Sequence, residues 1–323
     1  MPSRYEQFDR SKLTLLDLSC RTHDVTVDDV LEVGQAPSPF QHPDLPSLAD
    51  AIAAAVKSAR PVLMLMGAHV IKTGLSRYVC HWLRHKWLSG LAVNGACSIH
   101  DYELARVGAT SESVARYIAQ GQFGLWRQTG EINEIVSAGD ADGLGYGEAV
   151  GKAIIDRSLP HQDVSIFAAG YEAGVPLTVH VGMGYDIIHE HPNFDPAAVG
   201  RASYRDFLIF TRLVQDLQDG VVLCVGSAVM GPEIYLKALS MARNVAARQG
   251  TEIRRFTSAV FDLVNLTRDL HAEAPKDSPE YYYRPYKTVL VRTVRDGGRS
   301  YYIRGEHRAT LPALHELLAR RLG

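Results

Sequence analysis

Side chains able to move protons or hold a metal crowd one short stretch, VHVGMGYDIIHEHPNFD, among them His180, Asp186, His189, His191 and Asp195. His-x-His on an extended segment would turn both rings to one face. Imidazoles with carboxylates are zinc ligands. The spacing fits no common zinc motif and Pro192 breaks the segment, so the cluster is read as polar groups facing a substrate around Asp186, with no metal assigned. A second pair, His100-Asp101, closes VNGACSIHD. An adjacent imidazole and carboxylate suit acid–base work, and Asp101 would equally serve as a helix cap. Lys287 stands in YYYRPYKTVLV between Tyr286 and an apolar run. A lysine held near aromatic and apolar surface loses proton affinity and becomes a nucleophile; at a strand start it equally snorkels to water.

These groups need a frame. PVLMLM is an apolar run of the kind buried in parallel sheets. It leads into Gly67-Ala68-His69-Val70-Ile71-Lys72-Thr73-Gly74, then into Leu75, Tyr78, Val79, Trp82 and Leu83 at helical spacing. A phosphate loop needs Gly directly before Lys-Thr so that bare backbone can wrap the phosphates. Ile71 stands there, which argues against ATP. What remains is a loop at the carboxyl end of a strand feeding a helix, a place that suits a dinucleotide or simply joins two elements. GLAVNG repeats the layout, with small residues at Asn94-Gly95 that let a ligand approach backbone. GSAVMGPEIYL is a third such junction, able to bind an anion or only to turn the chain. GDADGLGYGEAVG has dinucleotide-like glycines but follows a helix, so it reads as a loop entering a helix.

Further strands are expected at VPLTVHVG, VVLCVG and SAVFDLVN, with helices between. KTVLVRTVRDGGRSYYI reads as a hairpin turning at Asp296-Gly297-Gly298. Strands alternating with helices imply an α/β fold, a mostly parallel sheet with helices on both faces. An N-terminal segment and helix fill residues 1–60, and one domain follows over 61–323. The 323 residues, 46% hydrophobic, are enough for one large core.

A net charge of −2 and the lack of a basic stripe argue against nucleic acid. No apolar run suggests a membrane span. The polar start MPSRYEQFDR is unlike a secretory signal. Cys20, Cys80, Cys97 and Cys224 are scattered and read as reduced thiols, so a cytoplasmic protein is expected.

Taken together, the junctions resemble the deoxyhypusine synthase family over residues 60–320. GAHVIKTGLSRYV, NGACSIHD, Gly184-Tyr185-Asp186, VGSAVMGPEI, AVFDLVN, Lys287 and GEHRATLPALHELL follow the family's order of motifs. The resemblance implies a Rossmann-like, NAD-binding fold of the deoxyhypusine synthase type, assembled as a homotetramer. It implies a transferase of polyamine type that oxidises a small amine substrate with NAD and carries an alkylamine fragment as an imine on Lys287. Asp186 would orient the substrate and His100 would move protons. NAD would lie against Gly67, Ala68, His69, Lys72, Thr73, Gly74, Asn94, Gly95, Asn265 and Glu306. Trp82, Trp87 and Trp126 would be apolar surface to spare for a tetramer. Ile99 and His100 replace the family's paired glutamates, and Pro285-Tyr286 its Trp-Gly. The alternatives are a His/Asp-based hydrolase or lyase on the same scaffold, possibly metal-assisted, or a non-catalytic ligand-binding homologue.

Overall fold

A computed structural model describes residues 3–266, 269–270 and 272–323. Among the described residues eight strands form: β1 (Val25–Thr26), β2 (Val62–Met66), β3 (Gly90–Asn94), β4 (Ala109–Thr110), β5 (Leu177–His180), β6 (Val221–Val225), β7 (Thr257–Asp262) and β8 (Arg299–Arg304). Six make one sheet in the order β5-β3-β2-β6-β7-β8. Every pairing in it is parallel. β1 and β4 form a small antiparallel pair that ties the N-terminal segment down.

The apolar strands are buried because helices cover both faces. Along β2, Val62, Met64 and Met66 enter one core, and Leu63 and Leu65 the other. β6 divides the same way, Val221, Leu223 and Val225 against Val222 and Cys224. The first core takes helices Leu45–Lys57, Ser76–Arg84, Tyr146–Asp156, Ile166–Ala173 and His307–Leu322. The second takes Pro196–Gln215, Met230–Arg248 and the π-helix Pro285–Arg292. Leu45, Leu48, Ala49 and Ile52 place the N-terminal helix inside the first core. Among the described residues no helix is long and apolar enough to cross a membrane.

In order of appearance, the six sheet strands lie 3-2-1-4-5-6, the arrangement of doubly wound dinucleotide-binding sheets. The chain leaves β2 for a helix on the first face, and leaves β6 for one on the second. The carboxyl ends of β2 and β6 therefore diverge at the point where ligands lodge in such sheets.

Two expectations fail. Residues 287–291 are not a strand but part of the π-helix Pro285–Arg292. No hairpin turns at Gly297; β8 pairs in parallel with β7, Thr257 opposite Arg299 and Asp262 opposite Arg304. A short apolar run with β-branched residues does not distinguish strand from helix. Here Pro285 opens a helical turn, and Ser258 donates to the Val289 carbonyl at 2.7 Å, seating the helix across β7. The tryptophans are not spare surface either: Trp82, Trp87 and Trp126 are all buried.

Candidate functional site

At the diverging ends of β2 and β6, two glycines meet. A Cβ on Gly67 would lie 2.0 Å from the Gly226 carbonyl oxygen. Only bare backbone allows that approach. A Cβ on Gly226 would lie 2.8 Å from His307 Nε2, so the His307 ring stands over this junction. His307 opens the last helix, and its ring centroid is 6.1 Å from that of His69. Burial, and then His69, hold the His307 imidazole down at about 4. Its Nδ1 is buried with no hydrogen-bond partner. Ser227 accepts from the Gly231 N–H at 2.9 Å and shapes the start of helix Met230–Arg248.

The loop after β2 is not one long helix. His69–Lys72 makes a single turn, and helix Ser76–Arg84 follows separately. That turn presents His69 toward His307 and Lys72 toward a cavity of about 210 Å³ on the other side. Thr73 and Gly74 are used structurally. The Thr73 hydroxyl donates to the carbonyls of His69 and Val70. Gly74, at φ +76°, packs so closely that a Cβ would lie 2.2 Å from the Asp29 carbonyl oxygen.

The cavity is lined by Lys72, Ala96, Ile99, His100 and Glu103, by Arg21, Ser111, Glu112, Val114 and Phe123, and by Tyr185, Asp186 and Ile187. Three residues expected at the site, Lys72, His100 and Asp186, thus come together from three separate segments. His100 lies on helix Gly95–Val107, which begins immediately after β3. The Asp186 carboxylate lies over the start of that helix, with Oδ2 2.0 Å from where a Gly95 Cβ would be. Asn94 accepts from the Cys97 thiol at 3.1 Å. Burial alone pushes the Asp186 carboxyl up to about 6. Its nearest ring nitrogen is His189 Nε2 at 3.8 Å, itself buried without a hydrogen-bond partner. His189 Nδ1 accepts from the Gly184 and Asp186 N–H groups, so Nε2 carries the proton in the neutral ring.

Behind His100 lies a buried ionic network. Arg21 grips Glu103 through two nitrogens, at 2.9 and 2.6 Å. Thr110 and Thr129 also donate to Glu103, at 2.6 and 2.5 Å. His100 Nδ1 is 2.8 Å from the Thr110 hydroxyl. Burial holds His100 down at about 4; Lys72 and Arg21 lower it further and Glu103 raises it. Glu112 accepts from Trp126 Nε1 at 2.9 Å and the Gly124 N–H at 3.1 Å. Burial nevertheless keeps its carboxyl above the ordinary range.

The remaining expected residues lie elsewhere. Asp101 points away from His100 and caps another helix, accepting from the Ser165 hydroxyl and the Ile166 N–H. His180 is buried against Thr178, Phe207 and Phe210. His191 is bonded through Nε2 to the Gly124 carbonyl at 2.8 Å. His189 and His191 do not share an extended face, because Ile187–Glu190 is a 3₁₀ turn. Among the described residues no three His, Cys, Asp or Glu side chains converge as a metal site. Asn265 is exposed and accepts from Arg304 at 3.1 Å; Glu306 is exposed and precedes the last helix. Lys287 stands on the outer helical layer, its amine 3.7 Å from the centre of the Tyr281 ring. It is not among the cavity-lining residues. A second cavity of about 270 Å³ lies beside edge strand β5, but its buried Asp206 serves the fold, accepting from Gly147 and Val179 N–H groups.

No protein-family model matches the chain, and no curated protein matches it. Solved structures do. ArgZ, an arginine dihydrolase from the ornithine–ammonia cycle in cyanobacteria, superposes with TM-score 0.51 at 14% identity, over 85% of this chain and 32% of that one. A conserved LOR/SDH protein of Methanococcus maripaludis S2 gives 0.51 at 12% identity, over 90% and 72%. The chain shares their fold. It spans about a third of the ArgZ chain. A deoxyhypusine synthase-like protein of Entamoeba histolytica gives only 0.41 at 7% identity, over 88% and 90%, too weak a likeness to bear on the fold.

Sequence reasoning missed Arg21, Glu103, Thr110, His189 as a partner of Asp186, and His307. Glu103 was within reach, because it stands three residues after His100 on one helix and so shares its face. His307 was adjacent to the residue chosen, Glu306. Arg21 carried no signal; it is separated from Glu103 by 82 positions.

Proposed function

We propose that this chain is a NAD-associated enzyme acting on a small, amine-bearing substrate. The observation that carries the reading is the divergence of β2 and β6 in a 3-2-1-4-5-6 sheet, directly beside a cavity holding Asp186 and His100. NAD would rest against Gly67, His69, Gly226, Ser227 and His307. The unpartnered His307 nitrogen and the side-chain-free junction suit a polar ligand. When bound, NAD would supply hydride acceptance. The chain's own residues bind and orient the substrate. Asp186, buried without a cation, is stabilised by an ammonium or guanidinium group. Neutral His100 accepts a hydrogen bond from it, and Lys72 at the rim suits a carboxylate on the same molecule.

The reading does not require Lys287 to form an imine. It keeps a homo-oligomer as an expectation, supported by Val114 and Tyr185, exposed where they line the cavity, and by Ile118, exposed one turn after Val114. A redox-free hydrolase or lyase is the second reading, favoured by the approach of His189 to Asp186. Calorimetric titration of the chain with NAD decides between them. Ligand at about 100 times its dissociation constant adds roughly 2.7 kcal/mol to stability. No heat and no thermal shift at millimolar NAD or NADH would remove the first reading and leave the second.

A further inference from the structure

The network behind His100 allows its protons to be counted. Glu103 accepts from Arg21 twice and from two threonine hydroxyls. The Arg21 guanidinium keeps it ionised, so it has no proton to give. The single proton of the Thr110 hydroxyl is therefore directed to Glu103. The 2.8 Å contact between that hydroxyl and His100 Nδ1 then needs its proton from the ring.

We propose that Thr110 and Glu103 are positioning residues that hold His100 in the Nδ1–H tautomer, leaving the Nε2 lone pair to the cavity. This is the tautomer less favoured by free histidine, so the protein must impose it. A partner bonded to one ring nitrogen sets what the other can do. Nε2 becomes an acceptor, matched to a substrate N–H and unsuited to a substrate carbonyl. Arg21 belongs to the N-terminal segment, so seating that segment also sets the tautomer. Glu103, Arg21 and Lys72 are the charged groups acting on the ring, and Glu112 and Asp186 line the same cavity. The substrate role of Nε2 rests on the function proposed above; the tautomer does not.

The experiment is a two-bond proton–nitrogen spectrum of the full chain, ¹⁵N-labelled at histidine, at neutral pH and without ligand. His100→Gln identifies the signal. The expected wild-type pattern is a protonated Nδ1 and a bare Nε2. Thr110→Val should move the population to Nε2–H, and Thr110→Ser should restore Nδ1–H. A wild-type ring protonated on Nε2, or an equal mixture, overturns the proposal. So does a folded Thr110→Val variant that keeps Nδ1–H. Should that variant not fold, the wild-type and Thr110→Ser spectra decide alone. Failure of NAD binding leaves this result untouched, and NAD binding with the wrong tautomer sinks this inference only.

Discussion

Asp186→Asn should make the ligand-free protein more stable at alkaline pH while weakening amine binding. The Asp186 side chain is 9% exposed, and burial raises its carboxyl from 3.8 to about 6. A rise of that size corresponds to about 3 kcal/mol of penalty on the charged form. The sign follows from the direction. A carboxyl raised in the folded state carries no penalty below its unfolded value of 3.8. The penalty grows as pH climbs toward about 6 and is complete above it. Asparagine has the same shape and no charge, so it removes the penalty where one exists. At pH 8 the gain should approach about 3 kcal/mol, which for a chain of this length is on the order of 5 °C in Tm. Near pH 4 it should shrink toward zero. The same change removes a charged hydrogen-bond acceptor, worth roughly 1.5–3 kcal/mol, so affinity for a cationic amine should fall about 10- to 100-fold. Scanning calorimetry of both proteins at pH 4.5 and 8, with amine titrations at pH 8, measures all of this. Equal Tm differences at the two pH values, or destabilisation at pH 8, would refute the claim that the carboxylate is buried without compensation.

Other outcomes follow from the same geometry. His307→Leu removes a buried, unpartnered ring nitrogen, so NAD binding by titration should be lost while the unfolding free energy stays within about 1–3 kcal/mol of wild type, the usual cost of one such orphan. Arg21→Ala leaves Glu103 buried and unpaired, and calorimetry should show a loss of roughly 3–5 kcal/mol. Adding Glu103→Gln should recover part of it. Borohydride reduction with NAD and a primary amine should leave no adduct on Lys287, whose amine is stacked on Tyr281; an adduct found by peptide mass spectrometry would return that lysine to the chemistry.

Much of the sheet was legible because parallel strands bury both faces and read as unbroken apolar runs. PVLMLM, VVLCVG and SAVFDLVN became β2, β6 and β7. The same rule misled at TVLV, where an equally apolar, β-branched run is a helix. A run so short carries no period of its own, and the contact that decides it, Ser258 to Val289, spans 31 positions. β8 was recognised as a strand but given the wrong neighbour, since nothing local distinguishes a hairpin arm from a strand that crosses over. At the site, residue types were readable and distances were not. His100 and Asp186 were identified as polar groups at strand ends. Asp101, next to His100, had equal claim on sequence and proved to cap a helix.

The turn His69–Lys72 connects the two halves of the site. Four residues long, it sets His69 toward His307 over the β2–β6 junction and Lys72 toward His100 and Asp186. Val70 and Ile71, between them, are fully buried in the first core. Its position is fixed by Thr73, bonded back to the turn, and by Gly74, packed on Asp29. These are the residues that made the loop resemble a phosphate-binding sequence. Their use here is to lock the turn. Ile71, which spoils the phosphate loop, anchors the turn by burying its side chain, with His69 beside His307 and Lys72 at the cavity. A ligand reaching from the junction to the cavity would meet the His69 and His307 rings at one end and Lys72 at the other. Under the function proposed above, the dinucleotide would lie at the first end and the amine substrate at the second.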